Sequence, residues 1–114
     1  MNKEEHIKYN RSYAILKARE LAEELKKNNI HIWKMFLFGS FVTKATSDLE
    51  WSDIDIAIVS DDFSGSRFDD IMMLIPMSTR IDSRIETHPF TREDFENSPF
   101  ARDEILKKGV LIPV

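Results

Sequence analysis

The segment from residue 53 to residue 59 constrains the fold more than any other part of the 114-residue chain. It reads Asp-Ile-Asp followed by Ile-Ala-Ile-Val, so that two carboxylates introduce an almost unbroken apolar run. Such a run predicts a strand at Ile54–Val59, and its continuous apolar character predicts burial on both faces. A strand of this kind needs covering elements on both sides of its sheet, which is typical of an α/β fold.

The flanking sequence predicts further elements from hydrophobic periodicity and turn residues. The predicted helices are Lys3 to Lys27, Asp69 to Met77 with a stop around Pro76, a capped turn at Thr91 to Asp94, and a last helix from Ser98-Pro99 to Gly109. The predicted strands are Ile30 to Phe38, Arg80 to His88 and Val110 to Ile112, and the predicted loops are Thr43 to Ser52 and Ser60 to Arg67. We therefore expect one domain spanning residues 1–114, with a small mixed β-sheet backed by helices on one face and open on the other.

Composition limits the classes of partner. The net charge is −4 and the sequence pI is about 5.4, so we do not expect the clustered basic surface that general nucleic-acid binding requires. The chain has no cysteine, which excludes disulfides and thiolate metal sites. No apolar run approaches the ~20 residues needed to cross a bilayer, and we expect a cytoplasmic protein without membrane attachment.

Two short motifs carry the candidate chemistry. Gly39 follows a predicted strand, and Ser40 offers a hydroxyl and a backbone N–H to a phosphate group. Asp53 and Asp55 are two residues apart, so both carboxylates project from one face of a strand while the isoleucine between them points to the core. Carboxylates this close repel each other unless a divalent cation binds them, and Mg²⁺ or Mn²⁺ accepts such ligands.

Other proteins with alternate aspartates fit the pattern less well. An EF-hand needs oxygen ligands and a glycine beyond Asp55, where this chain has Ile56, Ala57 and Ile58. Phosphatases of the haloacid-dehalogenase type and Asp-x-Asp glycosyltransferases place the aspartates at the carboxyl end of a strand, after its apolar run. Here the apolar run follows the aspartates, so we reject these alternatives.

The order Gly39-Ser40, twelve further residues and Asp53-Ile54-Asp55 resembles the core of polymerase-beta-like nucleotidyltransferases. This superfamily includes polymerase beta, kanamycin nucleotidyltransferases and the minimal nucleotidyltransferases of bacteria and archaea, and the short chain points to the minimal group. The resemblance implies that Gly39 and Ser40 bind a nucleoside triphosphate and that Asp53 and Asp55 bind Mg²⁺ or Mn²⁺.

The resemblance also implies a third carboxylate on a neighbouring strand, and it assigns this role, catalytic and metal-binding, to Glu86. Asp82 is the rival because it has the same parity on the predicted Arg80 to His88 strand. His88 shares this parity, but we interpret it as a surface residue at a strand end. Typical members carry a basic residue followed by glycine soon after the serine; Lys44 is the candidate for the basic residue, although Val42 to Ala45 has no glycine.

The resemblance implies transfer of a nucleoside monophosphate from a nucleoside triphosphate to a hydroxyl acceptor, with release of pyrophosphate. ATP is the expected triphosphate. A chain of this length leaves the acceptor side of the cleft uncovered, so a partner protein of the HEPN type or a homodimer is expected to complete it. A toxin partner would make the chain an antitoxin that nucleotidylates its toxin. The alternative is a catalytically vestigial binding module that neutralises a partner by contact.

Overall fold

The computed structural model describes residues 10–44, 49 and 52–114. Its helices are α1 (Arg11–Lys27), α2 (Ser40–Thr43), α3 (Arg67–Ile81), α4 (Arg92–Glu96) and the π-helical α5 (Ala101–Leu106). Its strands are β1 (Lys34–Phe38), β2 (Ile54–Val59), β3 (Ile85–Phe90) and β4 (Val110–Ile112). The first seven residues of the predicted Lys3 to Lys27 helix, and Ala45 of the altered loop, lie outside the described residues.

The four strands form one mixed sheet in the order β3-β2-β1-β4. β2 and β3 are parallel, whereas β1 is antiparallel to both β2 and β4. The parallel pair is connected through α3, because parallel strands need a crossover connection and cannot be joined by a hairpin. The predicted α/β fold with a small mixed sheet is confirmed.

An aliphatic core fills the space between the sheet and two long helices. In α1 the buried residues recur every three or four positions: Ala14, Ala18, Leu21, Ala22 and Leu25. This spacing puts them on one helical face, as the sequence predicted. From β2, Ile54, Ile56 and Ile58 point into the same core, which is the parity expected of the isoleucines beside Asp55.

The opposite face of the sheet is partly covered, and the prediction of one open face is wrong in this respect. Phe36, Phe38, Ala57 and Val59 form a second core there with residues of α4 and α5. We call this side the aromatic face; its stacked pair Phe36 and Phe95 has ring centroids 5.6 Å apart. Each covering helix is short, and neither has a repeating apolar stripe that would reveal its packing in the sequence. The Asp55 end of this face stays uncovered on the side of Glu86, which is exposed.

The third helix and third strand differ from their predicted bounds. α3 continues through Pro76 to Ile81, and β3 starts only at Ile85. Proline has no N–H, so one backbone carbonyl of the preceding turn loses its helical partner. Because Pro76 is exposed, water can hydrogen-bond to that carbonyl. Burial of Leu74 and Met77 holds the helix against the sheet. Ile81 shares strand parity with Ile85, but it also follows Met77 by four residues and Leu74 by seven, which continues the buried face of α3.

Several element ends agree with the sequence. Thr91 caps α4 by accepting a hydrogen bond from Asp94 N, and the Ser98 hydroxyl accepts one from Ala101 N at the start of the last helix. The strand after Gly109 is present as β4. By contrast, β1 begins at Lys34 and not at Ile30, which instead packs into the aliphatic core.

None of the helices in the described part of the chain combines the length and apolar character needed to cross a membrane.

Candidate active site

Three residues on adjacent strands are level with one another at the uncovered end of the aromatic face. Phe38 of β1 is opposite Asp55 of β2, and Asp55 is level with Glu86 of β3. Level residues of paired strands project from the same face. The register therefore brings the carboxylates of Asp55 and Glu86 side by side, although they are separated by an entire helix in the sequence.

Asp55, Glu86 and His88 form a compact cluster, with one potential ligand atom of each lying within 4.8 Å of the others. Nε2 of His88 is 3.0 Å from Oδ1 of Asp55 and 3.4 Å from Oε1 of Glu86. His88 is buried, Asp55 is half-buried and Glu86 is exposed, so the cluster opens to solvent on the Glu86 side. Grouped carboxylates of this kind are a potential site for a divalent cation.

Electrostatics support a cation at this cluster. Partial burial raises the pKa of the Glu86 carboxyl above its usual value, and the negative charges of Asp55 and Asp53 raise this pKa further, while His88 opposes the shift. The ionised form of Glu86 is thus disfavoured by its surroundings. A divalent cation would offset that repulsion, since a nearby opposite charge favours the ionised carboxylate. The donor set therefore fits a hard cation.

The position of the Asp55 carboxylate requires a glycine at residue 39. Its φ is +78°, a backbone conformation that side chains rarely allow, and a Cβ at this position would lie 2.5 Å from Oδ2 of Asp55. The sequence suggested that glycine lets a phosphate approach the backbone. In the folded chain, its missing side chain also makes room for the carboxylate, so the Gly-Ser motif and Asp55 are in contact.

Ser40 and Lys44 lie at the two ends of α2. Ser40 is its first residue, directly after Gly39, and the backbone N–H of Lys44 closes the helix by donating to Ser40 O. Ser40 therefore directly follows the glycine that lies against the Asp55 carboxylate. Lys44 is exposed. Binding of triphosphate by Gly39, Ser40 and Lys44 stays a prediction.

Asp53 and Asp82 are placed differently from Asp55 and Glu86. Asp53 lies one residue before β2, is exposed, and contributes its charge to the environment of Glu86. Asp82 is not on a strand. The prediction that it shares a strand face with Glu86, which made it the rival, is therefore wrong. It ends α3, where it accepts hydrogen bonds from the Tyr13 hydroxyl and from Arg84. The described cluster does not include Asp82.

His88 and Arg67 were missed by the sequence reasoning. The prediction of a surface position for His88 is wrong, because its ring is buried against Phe38 at a centroid distance of 4.8 Å. Arg67 lies at the start of α3, and its Nη2 atom is 3.1 Å from Nδ1 of His88. The signal for His88 was its parity with Glu86. Nothing local marks Arg67, since the contact depends on how α3 packs beside β3.

Comparisons with known proteins identify the family and the fold. The sequence matches the nucleotidyltransferase domain family over residues 18–112. The chain belongs to the nucleotidyltransferase domain family. Its general reaction is therefore nucleotidyl transfer, and the matched range includes every predicted site residue. No curated protein matches the sequence.

Two solved structures share the fold of this nucleotidyltransferase. A candidate nucleotidyltransferase from Sulfolobus solfataricus is 20% identical, with a TM-score of 0.57, and the alignment covers 89% of this chain and 80% of that one. A mutant of the toxin-antitoxin complex MntA-HpeT contains a chain that is 16% identical, with a TM-score of 0.52 and coverage of 82% and 70%. At these identities the likeness establishes the fold alone.

Proposed function

We propose that this nucleotidyltransferase moves a nucleoside monophosphate from ATP to a hydroxyl group of a partner protein in the cytoplasm, with release of pyrophosphate. Asp53, Asp55 and Glu86 would hold Mg²⁺ or Mn²⁺, and Gly39 and Ser40, with Lys44, would bind the triphosphate. The observation that carries the proposal is the cross-strand pair of Asp55 and Glu86 beside Gly39.

The residues of the chain have separable roles in this reaction. When bound, a divalent ion supplies stabilisation of charge on the attacking and leaving oxygens. Glu86 lies at the solvent-facing side of the cluster, where an acceptor hydroxyl can approach, and its raised pKa suits a group that accepts a proton. The acceptor oxygen would bond to the α-phosphorus as the bond to pyrophosphate breaks, and the hydroxyl proton would pass to Glu86.

The acceptor side of the cluster adjoins an apolar surface. A cavity of about 420 Å³ between α3 and β3 is lined by Glu86 together with Ile71, Ile75 and Ile85. In the first half of α3, Phe68 and Met72 are exposed, Phe68 by 72% of its surface. An exposed apolar surface at a reaction site favours a macromolecular acceptor over a small polar one. This supports a protein partner, and a HEPN-type protein or a second copy of the chain are the candidates.

A catalytically vestigial binding module is the second candidate, and the same apolar surface on α3 favours it. A module of this kind would need the surface around Phe68 and Met72 but not an ionised Glu86. Asp55→Asn should therefore leave partner binding intact under both proposals, while it abolishes transfer only if the chain is a transferase.

By resemblance to minimal nucleotidyltransferases, a HEPN-type partner would be encoded next to this chain. The test is transfer of label from ATP to the product of that neighbouring gene in the presence of Mg²⁺ or Mn²⁺. Label on the α-phosphate should appear on the partner, whereas label on the γ-phosphate should leave with pyrophosphate. Glu86→Gln should lose transfer, and the matched control Glu96→Gln, an exposed residue at the end of α4, should keep it. A tight complex that never becomes labelled would contradict transfer and support the binding module.

A further inference from the structure

His88 makes contacts through both nitrogens of its buried ring. Nδ1 is 3.1 Å from Nη2 of Arg67, and Nε2 is 3.0 Å from Oδ1 of Asp55. The edge of the ring meets Phe38, and the residue level with His88 on β2 is Ala57, whose small side chain leaves space over the sheet. The imidazole is thus fixed from several sides.

The contact with Arg67 determines which ring nitrogen carries the hydrogen. A guanidinium group can only donate hydrogen bonds, so Nδ1 of His88 must be the acceptor. The neutral ring then carries its hydrogen on Nε2, which donates to Oδ1 of Asp55 and lies near Glu86. A nitrogen that carries hydrogen has no free lone pair for a metal ion. In this arrangement His88 is a donor to the cluster and not one of its ligands.

The position of Arg67 is built into the loop before α3. The buried carboxylate of Asp70 accepts hydrogen bonds from the backbone N–H groups of Ser64 and Gly65 and from the Ser64 hydroxyl. Ser66 then caps the helix that Arg67 begins. These contacts fix the start of α3, and with it the position of the Arg67 guanidinium beside His88 of β3.

We infer that His88 is a positioning residue, held by Arg67, that fixes Asp55 so that Oδ2 is presented beside Gly39. One oxygen of Asp55 is used by His88, while the other faces the Gly-Ser motif. The ligand set then consists of carboxylate oxygens only, which selects Mg²⁺ or Mn²⁺ over the imidazole-preferring Zn²⁺. This inference rests on the proposed function for the metal, but the hydrogen-bond arrangement can be tested without it.

The first test is long-range ¹H–¹⁵N correlation of the histidine side chains in the metal-free, unmodified chain, with His88 assigned by comparison with His88→Gln. The inference predicts the chemical shift of an unprotonated nitrogen at Nδ1 and of a protonated nitrogen at Nε2. The opposite tautomer would overturn it. The measurement needs neither nucleotide nor activity, so it is independent of whether the chain is a transferase.

The second test is calorimetric titration of Mn²⁺ and of Zn²⁺ into three variants. His88→Gln keeps an N–H donor that can reach Asp55 and should bind Mn²⁺ almost normally, whereas His88→Leu should bind it about 10–100-fold more weakly. Arg67→Met frees Nδ1 and should raise the affinity for Zn²⁺ relative to Mn²⁺. Equal Mn²⁺ affinities of the Gln and Leu variants would contradict a positioning role. Failure of every form, including the unmodified chain, to bind Mn²⁺ would instead contradict the metal site of the proposed function.

Discussion

Asp82 and Glu86 are four residues apart in the chain, yet their carboxyl groups have opposite environments. Burial disfavours the charged form of Asp82, but hydrogen bonds from Tyr13 and Arg84 outweigh it and lower the pKa. At Glu86, burial and the charges of Asp55 and Asp53 raise the pKa. The chain stabilises the charge of Asp82, whereas at Glu86 the opposing effect of His88 is too small to offset burial and the neighbouring carboxylates, so a bound cation would stabilise that charge. This difference separates a structural carboxylate from a ligand-binding one.

Removal of one charge from the cluster should have the largest effect on activity. Outer contacts of metal ligands typically contribute 10–100-fold to metal affinity or activity, so we expect Glu86→Gln to reduce transfer by more than about 100-fold at saturating ATP. Asp82→Asn should keep most of the activity per folded molecule. Initial rates of both variants, normalised to folded protein, measure the difference, and the reverse ranking would contradict the assignment of Glu86.

A side chain at Gly39 should damage the cluster by a different route. Gly39→Ala places a Cβ against Asp55 Oδ2 at a residue with φ of +78°, and such strained positions cost about 1–3 kcal/mol. We expect a lower melting temperature together with weakened metal binding, whereas Asp55→Asn should weaken metal binding without loss of stability. Unchanged metal affinity in folded Gly39→Ala would show that the contact with Asp55 is not needed.

The structural role of Asp82 can be measured through the stability of the metal-free chain. Hydrogen bonds to charged groups contribute about 1.5–3 kcal/mol each, and Asp82 ties the end of α3 to Tyr13 of α1. Asp82→Asn should therefore lower the free energy of unfolding by about 1–3 kcal/mol. The matched control is Asp103→Asn on α5, whose ion pairs with Arg102 and Lys107 lie at the surface. Exposed ion pairs contribute little to stability, so this variant should change little, and urea denaturation of both variants provides the measurement. Equal free energies of unfolding of the two variants would contradict a structural role for Asp82.

The smallest expected effect is the pH dependence that Glu86 gives to the metal-free chain. Because folding raises the pKa of Glu86, the folded chain keeps this proton to a higher pH than the unfolded chain does. The free energy of unfolding therefore falls as pH rises through this window. Glu86→Gln should melt slightly higher than the unmodified chain at pH 7, and the difference should disappear below the usual pKa of a glutamate. A destabilised Glu86→Gln at pH 7 would contradict the raised pKa.

The sequence was informative where a short period determines the geometry. Alternation along β2 placed Asp55 opposite in parity to its isoleucines, and the helical spacing of Ala14, Ala18 and Leu21 placed α1 on the core. It failed where a residue pattern fits two structures, as at Ile81, whose spacing suits both the predicted strand and the end of α3. It also failed where burial depends on distant packing: His88 becomes buried only because α3 brings Arg67, and β1 brings Phe38, to its ring.

Binding of a divalent ion together with a nucleotide by the carboxylates of this nucleotidyltransferase is the property on which the proposed function depends. Calorimetric titration of ATP with Mg²⁺ or Mn²⁺ into the unmodified chain and into the Asp53→Asn, Asp55→Asn double variant tests it most directly, with circular dichroism to establish that both are folded. We expect metal-dependent binding to the unmodified chain and none to the double variant. Equal binding by the two proteins would contradict this role of the carboxylates.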